Sequence, residues 1–191
     1  MKSPMQSIDI YFMRHGESEV NSHGLVAGAS ESPLTHRGKL QVRQAAHYLR
    51  ERDIYFDLII SSPLTRALDS AKELAEVTGY PEERILTIDS LAERGFGFYE
   101  GKPSEELASA SELVIASTGG ETEEEFMKRM DVCKAEIYNL SSSKEAKLVL
   151  IVSHSWVYRG LCATINQDYS AGDLGSRSRI KNANITFLCK M

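Results

Sequence analysis

Apolar residues return along this chain in two alternating rhythms. Residues 8–13 form an apolar strand, and the unbroken runs at 57–61 and 148–152 read as strands buried on both faces. Between them apolar positions recur every three or four residues. Gly38, Val42, Ala45, Ala46 and Leu49 predict a first helix, capped by Thr35 and running to about Arg52. Leu64, Ala67, Leu68, Ala71, Leu74 and Ala75 predict a second, with Ser62-Pro63 at its opening turn and Gly79 at its end. Phe126, Met130, Cys133, Ile137 and Leu140 predict a long third helix, begun by a capping box of Thr122 and Glu125 and closed by a serine-rich turn over residues 141–143. A short strand at 85–88, loop-like sequence over 89–103, a helix from Ser155 to about Ile165, a glycine- and serine-rich loop and a last strand, Ile185–Lys190, complete the series.

Strands alternating with amphipathic helices predict a three-layer α/β/α sandwich around a mostly parallel sheet. With 191 residues and no repeat or linker, the chain is expected to form one domain. Parallel strands place their C-terminal ends along one edge, where ligands bind. Three of the strands end in candidate phosphate ligands: Arg14 and His15 after the first, Ser62 and then Arg66 after the second, Ser153 and His154 after the late one.

The join at Arg14-His15-Gly16 organises the rest. The arginine offers a planar fork of donors suited to phosphate or carboxylate. The imidazole serves as nucleophile, acid, base or metal ligand, and Gly16 lets the backbone approach a ligand. Taken alone, the tripeptide is equally a strand end meeting water, Arg66 a solvated helix arginine and His154 a satisfied core residue. Their convergence at one sheet edge shifts the balance toward a phosphate site. Glu93 lies in a stretch dense in glycines and aromatics, where a carboxyl in a partly dry loop can hold a proton as a general acid; the alternative is a surface carboxylate paired with a neighbouring arginine. Glu100 reads as a brace for that loop. His23 is a loop residue or part of the site's mouth, and His36 and His47 are helix-surface residues. No HxH or HExxH spacing supports a metal site, and two arginines would repel a cation, so no metal is expected. The acidic run at 121–125 reads as a helix-dipole complement and a solvated face.

Composition narrows the partners. A net charge of −5 argues against nucleic acid or an anionic membrane as partner, leaving a small anionic substrate in a local positive pocket. Cys133, Cys162 and Cys189 are few and far apart, which suits reduced thiols in a cytoplasmic protein. Asp9 interrupts the only apolar stretch near the N-terminus, so no signal peptide is expected, and no run reaches membrane-spanning length. Nothing in the sequence specifies an oligomeric state.

Arg14-His15-Gly16-Glu17-Ser18 with Asn21 resembles the signature of the histidine phosphatase superfamily, which includes phosphoglycerate mutases. The resemblance continues through Ser32-Pro33-Leu34-Thr35, residues 62–71 with Arg66, residues 91–101 with Glu93 and Glu100-Gly101, Gly119-Gly120-Glu121-Thr122, and Ser153-His154. It implies a phosphoglycerate mutase-like fold without metal or organic cofactor. It further implies that His15 attacks phosphorus, that Arg14, Arg66 and His154 bind the phosphoryl oxygens with Asn21 assisting, and that Glu93 protonates the leaving oxygen and then activates water. Where the family commonly has glycine after the second histidine, this chain has Ser155, taken as a further substrate-binding candidate, and Trp156, either a pocket wall or core. Asp69 and Ser70 also depart from the usual pattern, with little consequence expected.

Three functions stand on that resemblance. The preferred one is a phosphomonoester hydrolase acting on a small phosphorylated metabolite. A phosphoglycerate mutase is the alternative, but the segment 102–118 sets one lysine against Glu105, Glu106 and Glu112, a poor cationic lid for a second acidic group. A non-catalytic phosphate-binding relative would have lost His15, Glu93 or an arginine. Leu107, Leu113, Val114 and Ile115 line the substrate entrance or pack as helical core.

Overall fold

The computed structural model describes residues 7–168, 174–177 and 180–191. In chain order the elements are β1 (Asp9–Arg14), α1 (Glu19–Ser22), α2 (His36–Arg50), β2 (Leu58–Ser61), α3 (Thr65–Thr78), β3 (Leu86–Thr87), α4 (Ser104–Ala108), α5 (Glu112–Ser117), α6 (Glu123–Ser143), β4 (Leu148–Ser153), α7 (Ser155–Asn166) and β5 (Ile185–Lys190). The sheet order is β3-β2-β4-β1-β5, with β5 alone antiparallel, against β1.

Strand alternation assigns the layers. Ile10, Phe12, Leu58, Ile60, Val149 and Ile151 point to one face, where α6 and α7 cover them with Phe126, Met130, Ile137, Val157 and Leu161. Met13, Ile59, Leu150 and Val152 point to the other, against Val42, Ala46 and Leu49 of α2 and Ala67, Ala71 and Leu74 of α3. The expected α/β/α sandwich is thus observed. The register sets Arg14 opposite Ser153 and Ser61 opposite Val152, which brings the three polar strand ends level at one edge.

Several local expectations shift. The serines at 141–143 do not turn the chain but finish α6, since Ser141 donates its hydroxyl to the Ile137 carbonyl at 2.7 Å and so satisfies itself inside the helix. Pro63 lies before the cap of α3 rather than in its first turn, because the N-cap is Leu64. The strand at 85–88 contracts to two paired residues, Leu86–Thr87. The stretch 89–103 contains two short 3-10 turns, and 104–117 two short helices. The capping box at Thr122 and Glu125 forms as expected. Part of the glycine- and serine-rich loop, residues 169–173 and 178–179, lies outside the described residues. No helix among the described residues is long and apolar enough to cross a membrane.

Candidate active site

The site grows from the end of β1. The His15 N–H donates to the Ser153 carbonyl at 3.0 Å, which ties the first strand end to the late one. The ring is almost fully buried, and its Nδ1 lies 2.6 Å from the Gly16 carbonyl oxygen. A carbonyl only accepts, so Nδ1 carries the proton and Nε2 keeps the lone pair. Burial first, then the charges of Arg66 and Arg14, hold the imidazole well below its ordinary pKa of 6.5. Gly16 is required by close approach: a Cβ there would lie 2.4 Å from the Gly38 carbonyl oxygen.

Arg66 stands in the first turn of α3, buried, with Nη1 donating to Ser30 O and Nη2 to Gly28 O, both at 2.7 Å. Its Nε has no hydrogen-bond partner among the described residues. Arg14 donates through Nη1 to Ile180 O at 3.1 Å. His154 is buried beside His15, ring centroids 5.1 Å apart. Its Nε2 meets the Ser62 hydroxyl at 2.7 Å, while Nδ1 has no hydrogen-bond partner among the described residues. Burial, Arg66, His15 and Arg14 together push its pKa well down. The serines of the strand ends therefore brace rather than bind: Ser62 holds His154, and Ser153 donates to Leu91 O at 2.7 Å.

Glu93 enters from the loop after β3. It accepts the Arg94 N–H on one oxygen at 3.1 Å and the Trp156 N–H on the other at 3.3 Å. Burial raises its pKa above the ordinary 4.5 against the pull of Arg66. The expected alternative, pairing with the neighbouring arginine side chain, does not occur, because the Arg94 guanidinium turns away to Glu112. Arg14, His15, Asn21, Arg66, Glu93 and Ser155 all line one cavity of about 520 Å³, and the His154 ring packs beside that of His15. Asn21 Oδ1 and Ser155 Oγ are buried without hydrogen-bond partners among the described residues. These atoms, with Arg66 Nε, are what a bound phosphoryl group would satisfy once the Asn21 amide is turned to donate.

The sequence reading missed several supports. Ser70, expected to matter little, accepts the Gly16 N–H at 3.0 Å and donates to Arg66 O at 2.7 Å, so it couples the His15-Gly16 loop to α3. Asn182 donates to the His15 carbonyl at 2.9 Å from a distant segment that no local pattern marks. Arg94, Glu112, Glu123 and Arg159 line the cavity as well. Glu123 is buried there, which corrects the solvated-face reading at that position, while Glu124 and Glu125 are exposed as expected; Glu121 clasps Arg129 with both oxygens at 2.6 and 2.8 Å. Glu100 braces as expected, accepting the Ala29 and Phe96 N–H groups, both at 2.9 Å, and the Ser30 hydroxyl. Trp156 is half-buried, packed on the core and edge-on to Phe96, and it lines the cavity. Leu107 and Ile115 line it too, while Leu113 is exposed and His23 bonds back to Glu19 O outside it. Among the described residues no group of three or more His, Cys, Asp or Glu is arranged to hold a metal ion.

The profile of the histidine phosphatase superfamily (branch 1) matches residues 10–189. The chain belongs to that superfamily. It is 32% identical over 182 residues to the uncharacterized phosphatase PhoE of Bacillus subtilis, covering 93% of this chain and 88% of that one. It is 29% identical over 168 residues to the probable phosphoglycerate mutase GpmB of Enterobacter sp., covering 83% and 74%. The crystal structure of the alpha-ribazole phosphatase from Shigella flexneri superposes with a TM-score of 0.74 at 26% identity, covering 93% of this chain and 88% of that chain. The superfamily's phosphatases and mutase-like members are enzymes, and this chain is one of their kind.

Proposed function

We propose that the protein hydrolyses a small phosphomonoester through a phosphohistidine, without a metal. The His15 Nε2 lone pair attacks phosphorus as the ester P–O bond breaks, and Glu93 gives its proton to the departing oxygen. Glu93, now a carboxylate, takes a proton from water; the oxygen of that water attacks phosphorus, the P–N bond breaks, and inorganic phosphate leaves. Arg14, Arg66 and His154, with Asn21 and Ser155, bind the phosphoryl oxygens. Phosphoryl transfer asks mainly for in-line positioning and fixed positive charge, which two arginines supply without a cation.

The observation that carries this reading is the pairing of opposite shifts in one cavity. His15 is biased toward its neutral form with Nδ1 committed to Gly16, while burial raises the pKa of Glu93 and so biases it toward its protonated form. A nucleophile and an acid are each favoured in the form the first step needs. A cytoplasmic setting suits three cysteines that stand unpaired in the fold.

The test is phosphate release from a panel of phosphomonoesters with EDTA present, comparing the native protein with His15→Ala. Release that survives EDTA and is lost in His15→Ala is expected. The panel includes 3-phosphoglycerate with a 2,3-bisphosphoglycerate primer. Isomerisation outpacing release would replace the hydrolase reading with a mutase.

A further inference from the structure

The same cavity is lined by further charged groups that the hydrolytic steps leave unused. Arg94 is fully buried there, its guanidinium 5.3 Å from the Phe96 ring centroid and 4.9 Å from that of Trp156. Its Nε donates to Glu121 O at 3.0 Å and its Nη2 to Glu112 Oε2 at 2.5 Å. Nη1 is buried with no hydrogen-bond partner among the described residues. Glu112 opens α5, and the same Oε2 also accepts the Glu123 N–H at 3.1 Å. The buried Glu123 carboxyl, the Arg159 guanidinium and Ser104 add to the polar lining, and Val26, Phe96, Leu107, Ile115 and Trp156 supply apolar walls.

Among the described residues two guanidinium groups, Arg94 and Arg159, are thus matched by two carboxyl groups, Glu112 and Glu123, and this part of the cavity presents no surplus positive charge. An arginine in such a place, left alone, would draw a carboxylate or second phosphate on the alcohol part of a substrate. Here Glu112 already takes the Nη2 edge, and an arriving anion would meet two like charges at short range in a partly dry space. A neutral acceptor can still take Nη1 without that penalty, while the aromatic and aliphatic walls cover an apolar body.

We propose that Glu112 is a specificity-determining residue: by occupying Arg94 it closes this part of the cavity to acidic leaving groups and reserves it for neutral, largely apolar alcohols or phenols with one hydrogen-bond acceptor. This rests on the hydrolase reading for the chemistry, though the discrimination also operates in binding. Glu112 lies in the segment between the Glu100-Gly101 brace and the α6 cap, which lines the cavity through α4, α5 and Ala110 between them.

The experiment compares phenyl phosphate with 4-carboxyphenyl phosphate, which differ by one carboxylate, as ratios of kcat/KM. The native protein should prefer the neutral ester by about tenfold or more. Glu112→Gln should shrink that ratio by about tenfold, Glu112→Asp should keep most of it, and adding Arg94→Met to Glu112→Gln should restore the preference. A ratio is insensitive to the fraction of protein that folds, so general damage cannot imitate the shift. Binding is read separately from turnover, with phenylphosphonate and 4-carboxyphenylphosphonate titrated against the fluorescence of Trp156, the single tryptophan. The same ratio in native and Glu112→Gln overturns the inference. If Glu112→Gln does not fold, native use of the carboxylated ester equal to or better than that of phenyl phosphate overturns it. Turnover without discrimination sinks the specificity role and leaves the hydrolase; discrimination in binding without turnover sinks the hydrolase and supports the role of Glu112.

Discussion

The Gly16 carbonyl oxygen lies 2.6 Å from Nδ1 of His15, so the residue that follows the histidine fixes which of its nitrogens is free. That carbonyl is itself held in place. The Gly16 N–H is taken by Ser70, and the Gly16 Cα is pressed against the backbone of Gly38 with no room for a methyl group. A 2.4 Å approach of Cβ to Gly38 O cannot be relieved by a flexible side chain, because the obstacle is backbone.

Gly16→Ala is therefore expected to displace the loop that orients His15. It should cost about 1–3 kcal/mol of stability by overpacking, and kcat/KM should fall about 100-fold because the nucleophile is misplaced. Urea denaturation and steady-state kinetics on one phosphomonoester check both. An alanine variant with native kinetics would show that the loop does not set the ring.

Glu93→Gln should separate substrates by leaving group. An alkyl phosphate, whose alkoxide needs a proton as it departs, should lose about 100-fold or more in kcat, whereas 4-nitrophenyl phosphate should lose about tenfold or less. Equal losses on both would remove Glu93 from the general-acid role and leave it a merely structural carboxylate.

How much of this was legible beforehand follows from the physics of each feature. The strand and helix rhythms placed the sandwich and its polar edge, because burial on one or two faces leaves a period in the sequence. Arg14, His15, Arg66 and Glu93 were findable because each sits where a strand end or a glycine-rich loop meets a cavity. Asn182 and Ser70 were not, since their worth lies in bonds to His15 and Gly16 across 167 and 54 positions. The acidic run misled at Glu123 because a cluster of glutamates at a helix start has a sufficient local explanation in the dipole, while Glu123 is held by a distant residue, its N–H donating to Glu112 of α5. The serines at 141–143 misled in the same way: a turn-like composition, overruled by Ser141 bonding back into its own helix.

Stability should depend on pH through the two buried histidines. His15 and His154 stay neutral in the folded protein well below 6.5, where they take up protons once unfolded. In that window the unfolded state binds more protons, so stability rises with pH and is lost as pH falls below the ordinary histidine value. Glu93 acts in the opposite sense: its raised pKa lets the folded state hold a proton longer, and that contribution fades as pH rises from 4.5 through the raised value. Two histidines outweigh one glutamate, so the urea midpoint should drop between about pH 7 and about pH 5.5, and His15→Asn should make the drop shallower. A midpoint constant across that range would contradict the burial of both rings in the neutral form.

Glu100 supplies a prediction about Arg66, which it never touches. Arg66 is positioned by the carbonyl oxygens of Gly28 and Ser30, and the loop bearing them is fastened by Glu100 through the Ala29 N–H and the Ser30 hydroxyl. The same carboxylate accepts the Phe96 N–H, so one side chain joins the loop that aims Arg66 to the loop that carries Glu93. Gly28, at φ +53°, leaves that carboxylate its space, since a Cβ would lie 2.2 Å from Glu100 Oε1. Glu100→Ala would orphan two backbone N–H groups, costing about 1–3 kcal/mol, and would loosen the arginine enough to lower kcat/KM about tenfold or more. Glu100→Gln keeps an amide oxygen for both N–H groups and should hold kcat/KM within about threefold of native. The pair of variants decides the point by kinetics and urea denaturation together. If Gln fell as far as Ala, the charge of Glu100 acting on Arg66, rather than its hydrogen bonds to the loop, would be what matters there.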